Sequence, residues 1–222
     1  MNDNRPKLAV IGGTGSLGHA LAGRWARAGY EIVIGSRSAD KAMEVAAQLD
    51  AAGAGTAARG LSNHEAALEA DIIVVAVPFA SQESILRTIA DAAGDKLVVD
   101  TTVPLVPPKV ARAQMPDAGS AAMTARAVLG DEARLVSAFH NVAAHKLKED
   151  GDVDCDVLIF GDEPDDREAV VELAQAAGMR GIHCGPLANS VAAEALTSIL
   201  IGINKRYKAD GAGIRITGIP GA

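Results

Sequence analysis

Ten residues constrain this chain most: Ala9-Val10-Ile11-Gly12-Gly13-Thr14-Gly15-Ser16-Leu17-Gly18. The apolar run Leu8 to Ile11 reads as a buried parallel strand, and Leu17 to Ala28 reads as a helix. Gly13-x-Gly15-x-x-Gly18 stands at the junction between them. Gly13 is expected to allow the tight turn, Gly15 to let a pyrophosphate approach the backbone, and Gly18 to let helix and strand pack closely. The unpaired N–H groups and positive dipole end of that helix then face the phosphates. In a chain with 23 glycines the pattern alone says little. Its place between a strand and a helix makes it a dinucleotide-binding signature.

The rest of the chain repeats the same unit. Glu31–Gly35 reads as a second strand, followed by a helix that Ser38 can cap and that runs from Ala39 to about Asp50. Thr56–Gly60 is a weak third strand, and Asn63–Glu69 a short helix. Asp71–Val77 is apolar enough to be covered on both faces, and Pro78 ends it. Ser81–Ala93 is helical and Lys96–Asp100 is a fifth strand. Val103–Pro108 is an irregular loop, Ala118–Val128 a helix, and Arg134–Phe139 a sixth strand. Lys146–Asp154, charged and glycine-bearing, marks the boundary between residues 1–147 and a smaller part, residues 148–222. Beyond it follow a strand at Val157–Phe160, a helix at Pro164–Ala177, a short strand at Arg180–His183, and a long helix from Ser190 to Lys208. The tail Gly211–Ala222 should be extended. The expected fold is α/β: a doubly wound parallel Rossmann-type sheet with a smaller C-terminal α/β part ending in a long helix. Its ligand edge would carry the loops Gly12–Gly18, Gly35–Ser38, Val77–Ser81 and Asp100–Pro104.

Composition narrows the class of partner. The net charge is −7, from 21 basic and 28 acidic residues, so no broad basic surface is available for nucleic acid or an anionic membrane. Hydrophobic residues are 49% and aromatics only 3%, so the core must be aliphatic. Cys155 and Cys184 form no metal-ligand pattern and read as reduced, buried thiols of a cytoplasmic protein. The run Met1–Lys7 lacks an apolar signal core, and the apolar runs Ile72–Val77 and Ile199–Ile203 are too short to span a bilayer. Asp152, Asp154 and Asp156 lack the glycine and glutamate of a calcium loop and read as a solvated acidic loop.

The end of the second strand chooses the dinucleotide. An NAD site places Asp or Glu there, about 20 residues past the glycines, for the ribose 2′-hydroxyl. This chain has Gly35-Ser36-Arg37, with no carboxylate before Asp40. The forked donors of Arg37 and the hydroxyl of Ser36 suit a 2′-phosphate. Lys41 falls in the first helical turn, where a cation opposes the dipole unless an anion joins it. NADP(H) is therefore preferred to NAD(H).

Acid–base groups for alcohol chemistry are scarce. Tyr30 and Tyr207 form no YxxxK pair, and His19, His64 and His183 read as surface or structural residues. His140, after the sixth strand, could line the cleft as a proton donor or as a positioning residue. No other catalytic side chain presents itself, which suits direct hydride transfer between two cofactors held face to face. The residues alone leave open a reductase acting on a flavin or a small imine or carbonyl, and a non-catalytic NADP(H) sensor.

Ile11–Gly18, Ile34–Arg37 with Lys41, Val77-Pro78, Asp100–Pro104, Ser137–Ala144, Gly185–Ser190, Leu196-Thr197 and Gly211–Ile214 together resemble the F420-dependent NADP reductases. The resemblance implies NADP(H) along Gly13, Thr14, Gly15, Ser16 and Leu17, with Ser36, Arg37 and Lys41 on its 2′-phosphate. It implies Val77, Pro78, Val103, His140 and Ala144 around the nicotinamide end, and the deazaflavin of coenzyme F420 in an apolar cleft with Ala212. It further implies no metal, and dimerisation through the C-terminal part, for which the stripe Leu196, Ile199, Leu200 and Ile203 is available.

Overall fold

The structure is a computed structural model and describes residues 5–51 and 57–219. Its elements in chain order are β1 (Leu8–Ile11), α1 (Ser16–Arg27), β2 (Ile32–Ser36), α2 (Ala39–Ala51), β3 (Arg59–Ser62), α3 (Asn63–Glu69), β4 (Ile72–Val75), α4 (Phe79–Ala93), β5 (Leu97–Asp100), α5 (Ala121–Leu129), β6 (Leu135–Ser137), β7 (Asp156–Gly161), α6 (Pro164–Ala176), β8 (Arg180–His183) and α7 (Ser190–Tyr207). All strands join one eight-stranded sheet in the order β3-β2-β1-β4-β5-β6-β7-β8. From β3 to β6 every neighbouring pair is parallel.

Alternation along the strands builds two aliphatic layers. Leu8, Val10, Ile32, Ile34 and Val74 face the core under α1, α2 and α6. Ala9, Ile11, Val33, Ile73 and Val75 face the core under α3, α4 and α5. Strands covered on both faces must be apolar throughout, which is why β1, β2 and β4 show no polar side chain until Ser36. The only tryptophan, Trp25, is fully buried on the inner face of α1. Its Nε1 donates to the Leu173 carbonyl at 2.8 Å, and its ring meets Phe139 edge-on at 5.8 Å.

Several expectations change in the structure. The parallel order breaks at β7, which pairs antiparallel with β6 before β8 resumes a parallel partner. Chain leaving β6 stays at the same sheet edge through residues 138–155, so no crossover helix separates the two strands and they run opposite ways. The third strand lies at Arg59–Ser62 rather than Thr56–Gly60, and Thr56 falls outside the described residues. Asp156 is not solvated: it is buried, and Arg180 donates to both its oxygens at 2.9 and 2.6 Å, with the Ile216 amide at 2.6 Å. Those contacts pin the extended tail along β7, and the Asp156 amide closes the register on the Ile214 carbonyl at 2.7 Å. Cys184 is only half-buried, whereas Cys155 is buried, and both are free thiols.

The segment Lys146–Asp154 is tied back to the first helix. Arg24, itself buried, donates to the carbonyls of Leu147 at 2.7 Å, Glu149 at 2.5 Å and Gly151 at 2.5 Å. Helix α7 is amphipathic in an unusual sense. Its inward side buries Ser190, Ala193, Glu194, Ser198 and Leu200, whereas Ile199 and Ile203 are 53% and 36% exposed. The expected apolar stripe is thus split between core and surface. By length and composition Leu187–Tyr207 is the one stretch among the described residues that could cross a membrane.

Candidate functional site

The loop after β1 turns because Gly12, not Gly13, adopts a left-handed φ of +80°. A Cβ on Gly12 would stand 2.6 Å from the Ala76 carbonyl oxygen, so β1 and the end of β4 close on each other only over glycine. Gly13 keeps an ordinary φ, and a side chain there would meet the Val10 carbonyl at 2.9 Å and Ile34 at 3.0 Å. Gly18 lets α1 sit against the turn, since a Cβ at that position would stand 2.8 Å from the Gly12 carbonyl oxygen. The result is a cleft of ≈ 300 Å³ at the strand C-termini.

Thr14, Gly15, Ser36, Arg37, Lys41, Val77 and Pro78 line that cleft together, joined by Asn63, Ser81 and Ile85. Ser36 is buried, and its Oγ accepts from the Ser38 amide at 3.3 Å. Ser38 Oγ in turn accepts from the Lys41 amide at 3.4 Å, the expected cap of α2. Arg37 and Lys41 are exposed at the rim, and among the described residues no carboxylate pairs with either. Ser16 and Leu17 open α1, and Gly13 is buried beneath the turn. Val103 is half-buried in the loop after β5 and does not line this cleft.

His140 and Ala212 meet in a second, smaller cleft of ≈ 110 Å³ with Asn141, Ala143, Thr197 and Asn204. Helix α7 stitches its two sides. Thr197 Oγ1 donates to the His140 carbonyl at 2.9 Å, Asn141 Nδ2 donates to the Ala193 carbonyl at 2.9 Å, and Asn204 Oδ1 accepts from the Ala212 amide at 2.8 Å. Ala144 is half-buried next to Ala143 but lies outside this lining.

Between the clefts lies a buried polar group not anticipated from the sequence. Gln82 Nε2 bridges Asp100 Oδ2 at 2.6 Å and the Ala121 carbonyl at 3.0 Å. Glu194, from α7, accepts from the amides of Ala121 at 2.6 Å and Ala122 at 3.1 Å, a carboxylate seated on the start of α5. Burial pushes the Asp100 carboxyl up to about 6, against the hydrogen bonds from Thr102 and Gln82. Burial also raises Glu194, which its amide donors partly offset. Single carboxylates far apart in sequence carry no periodic signal, so only their pairing with α5 and Gln82 reveals them.

His140 is buried, its Nε2 lies 2.7 Å from Ser137 Oγ, and burial lowers its pKa to about 3. It is neutral at ordinary pH, which removes an imidazolium proton donor from the chemistry. The folded value lies below the ordinary 6.5, so this group's contribution to stability is complete above 6.5 and is lost as pH falls toward 3. Asp100 acts in the opposite sense: its raised value makes stability fall as pH rises from 3.8 through 6. We expect His140→Asn to gain about 3 kcal/mol of unfolding free energy relative to wild type between about pH 7 and about pH 4. Urea titrations at the two pH values measure it, and parallel curves would refute the burial of a neutral imidazole.

The family described as "NADP oxidoreductase coenzyme F420-dependent" matches residues 7–104. An F420-dependent NADP reductase from Methanothermobacter thermautotrophicus is 41% identical over 96% of both chains. Another from Methanocaldococcus jannaschii is 40% identical, covering 96% of this chain and 99% of its own. Among solved structures, one provisionally described as an F420-dependent NADP reductase from an Arthrobacter species superposes with a TM-score of 0.80 at 21% identity, covering 96% of this chain and 100% of that one. An imine reductase from Bacillus cereus superposes at 0.65 with 20% identity, over 92% of this chain and 62% of that one, a likeness of fold alone.

Proposed function

The chain belongs to the F420-dependent NADP reductases, and from that premise we propose how its residues divide the work of binding the two cofactors. Its activity is hydride transfer between NADP(H) and coenzyme F420, which makes it an NADP-dependent oxidoreductase. In this reading NADP(H) lies in the larger cleft, pyrophosphate over Thr14, Gly15, Ser16 and Leu17, and 2′-phosphate between Ser36, Arg37 and Lys41. The observation that carries it is the convergence in one cleft of a glycine turn, two rim cations without carboxylate partners among the described residues, and the apolar Val77-Pro78 wall.

The fit is physical. A phosphate at the rim neutralises Arg37 and relieves the conflict between Lys41 and the dipole of α2. In the same reading the nicotinamide end lies beyond Val77 and Pro78, toward Val103, His140 and Ala144. Ala143, Ala212 and α7 would border the deazaflavin, with the small side chains of Ala143 and Ala212 on that side. When bound, the reduced nicotinamide supplies a hydride and the deazaflavin accepts it. The protein's part is to align the two rings and keep water out, and neutral His140 serves as a positioning residue. Adding oxidised F420 to protein with NADPH is expected to bleach the deazaflavin absorbance. Absence of bleaching between about pH 5 and about pH 9 overturns the assignment.

We also read the protein as a cytoplasmic homodimer, with residues 1–147 as the coenzyme domain and residues 148–222 as the smaller part that closes the cleft. The support for a second copy is the outward face of α7, where Ile199, Ile203 and Tyr207 are exposed at 53%, 36% and 75%. A charge on that face, Ile199→Asp, is expected to convert the two-copy species to a one-copy species in sedimentation velocity without changing the circular dichroism spectrum. An unchanged sedimentation coefficient would place the contact elsewhere.

A further inference from the structure

We propose that Asn63 binds the adenosine ribose of the coenzyme, its carboxamide oxygen accepting from the 3′-hydroxyl of a 2′-phosphorylated ribose. The proposal rests on the reading of the larger cleft as the NADP(H) site. Asn63 is the first residue of α3, directly after Ser62, and Ser62 pairs with Ser36 across the β2–β3 register. It is only 8% exposed, lines the cleft with Ser36 and Arg37, and its Oδ1 is buried without a hydrogen-bond partner among the described residues. A buried acceptor without a donor forfeits the hydrogen bonds water gave it, and a ligand hydroxyl would restore one here.

Position selects which donor. Oδ1 lies 3.2 Å from where a Cβ of Gly35 would stand, so Asn63 enters the cleft lining from beside the end of β2, while Arg37 and Lys41 stand at the open rim. A buried position inward of the phosphate-binding pair meets the sugar rather than the flat base. With the 2′-oxygen esterified, the 3′-hydroxyl is that sugar's remaining free hydroxyl. Glycine at position 35 leaves that side uncrowded: any side chain there would press on Asn63, on Ile11 at 2.7 Å and on Ala66 at 3.3 Å.

The test uses adenosine 2′,5′-bisphosphate, its 3′-deoxy analogue and NADPH, with Kd read by calorimetry on the full chain. In Asn63→Leu, of nearly equal volume, affinity for the bisphosphate and for NADPH is expected to fall about tenfold each. Wild type is expected to bind the 3′-deoxy analogue about tenfold more weakly than the parent, and Asn63→Leu to bind both alike. The thermal midpoint of the free variant should hold or rise, because an unpaired buried acceptor has been removed; a purely structural asparagine would lower it. Equal affinity of wild type and variant for the bisphosphate, or a 3′-deoxy effect as large in the variant as in wild type, overturns the role of Asn63 alone. Failure of wild type to bind the bisphosphate overturns the placement of the coenzyme itself.

Discussion

In Arg37→Ala the dissociation constant for NADPH is expected to rise about 50-fold while that for NADH stays within about twofold, because the lost contact is a forked, charge-assisted one to a group NADH lacks. Arg37 stands at the rim, exposed, with no carboxylate to occupy it among the described residues. Its guanidinium is therefore available to a phosphate without first breaking an ion pair. Exposure also means screening: the ratio between wild type and variant should shrink as salt rises, since rim charges interact through water. Lys41 contributes in the same direction but less, as a point charge on the first turn of α2. Fluorescence or calorimetric titrations of both coenzymes at two salt concentrations measure these effects. NADPH affinity within about twofold of wild type would remove the basis for placing the 2′-phosphate here.

Gly60→Ala is expected to cost about 3 kcal/mol and to lower Tm by roughly 10 °C. A Cβ at position 60 would stand 2.1 Å from the Met43 amide nitrogen and 2.2 Å from the Ala42 carbonyl carbon. Both are backbone atoms inside α2, so no side-chain rotation relieves the clash, and the helix itself must move away from β3. The same displacement carries Lys41, one residue before Ala42, away from the end of β2. The variant should therefore bind NADPH more weakly as well as melt earlier. Gly202→Ala is the control: it lies inside α7 with nothing within 4 Å of its added Cβ, so it should stabilise by about 0.5–1 kcal/mol. Equal midpoints for the two variants would show that α2 adapts to β3 at no cost.

The parts of the fold that follow from local periodicity were legible in the sequence. β1 and the Asn63–Glu69 helix fall where their patterns place them, since an aliphatic run of strand length and a serine able to cap a helix, Ser62, are local signals. The cleft residues Thr14, Gly15, Ser36, Arg37, Lys41, Val77 and Pro78 were legible for the same reason: each sits at a fixed offset from a strand end. What escaped was long-range. The antiparallel entry of β7 depends on residues 138–155 staying at one sheet edge, which no period records. Burial of Asp156 depends on Arg180 and on the tail that contacts it at Ile216. The glycine motif points to Gly13 rather than Gly12 for the turn, because it names positions and not the φ each one takes. Local pattern puts Asn63 in a helix but not in a site, since its orphaned oxygen emerges only once β2 and α3 are set side by side.

Trp25 gives the molecule an optical property that follows from its packing. It is the sole indole, sealed from solvent, and shares an edge with the phenyl ring that precedes His140. Its emission should accordingly be blue-shifted and deaf to iodide. Emitted light in that band overlaps the absorption of a reduced nicotinamide but not of the oxidised one. The chain thus carries its own gauge of occupancy and redox state, which needs no attached dye.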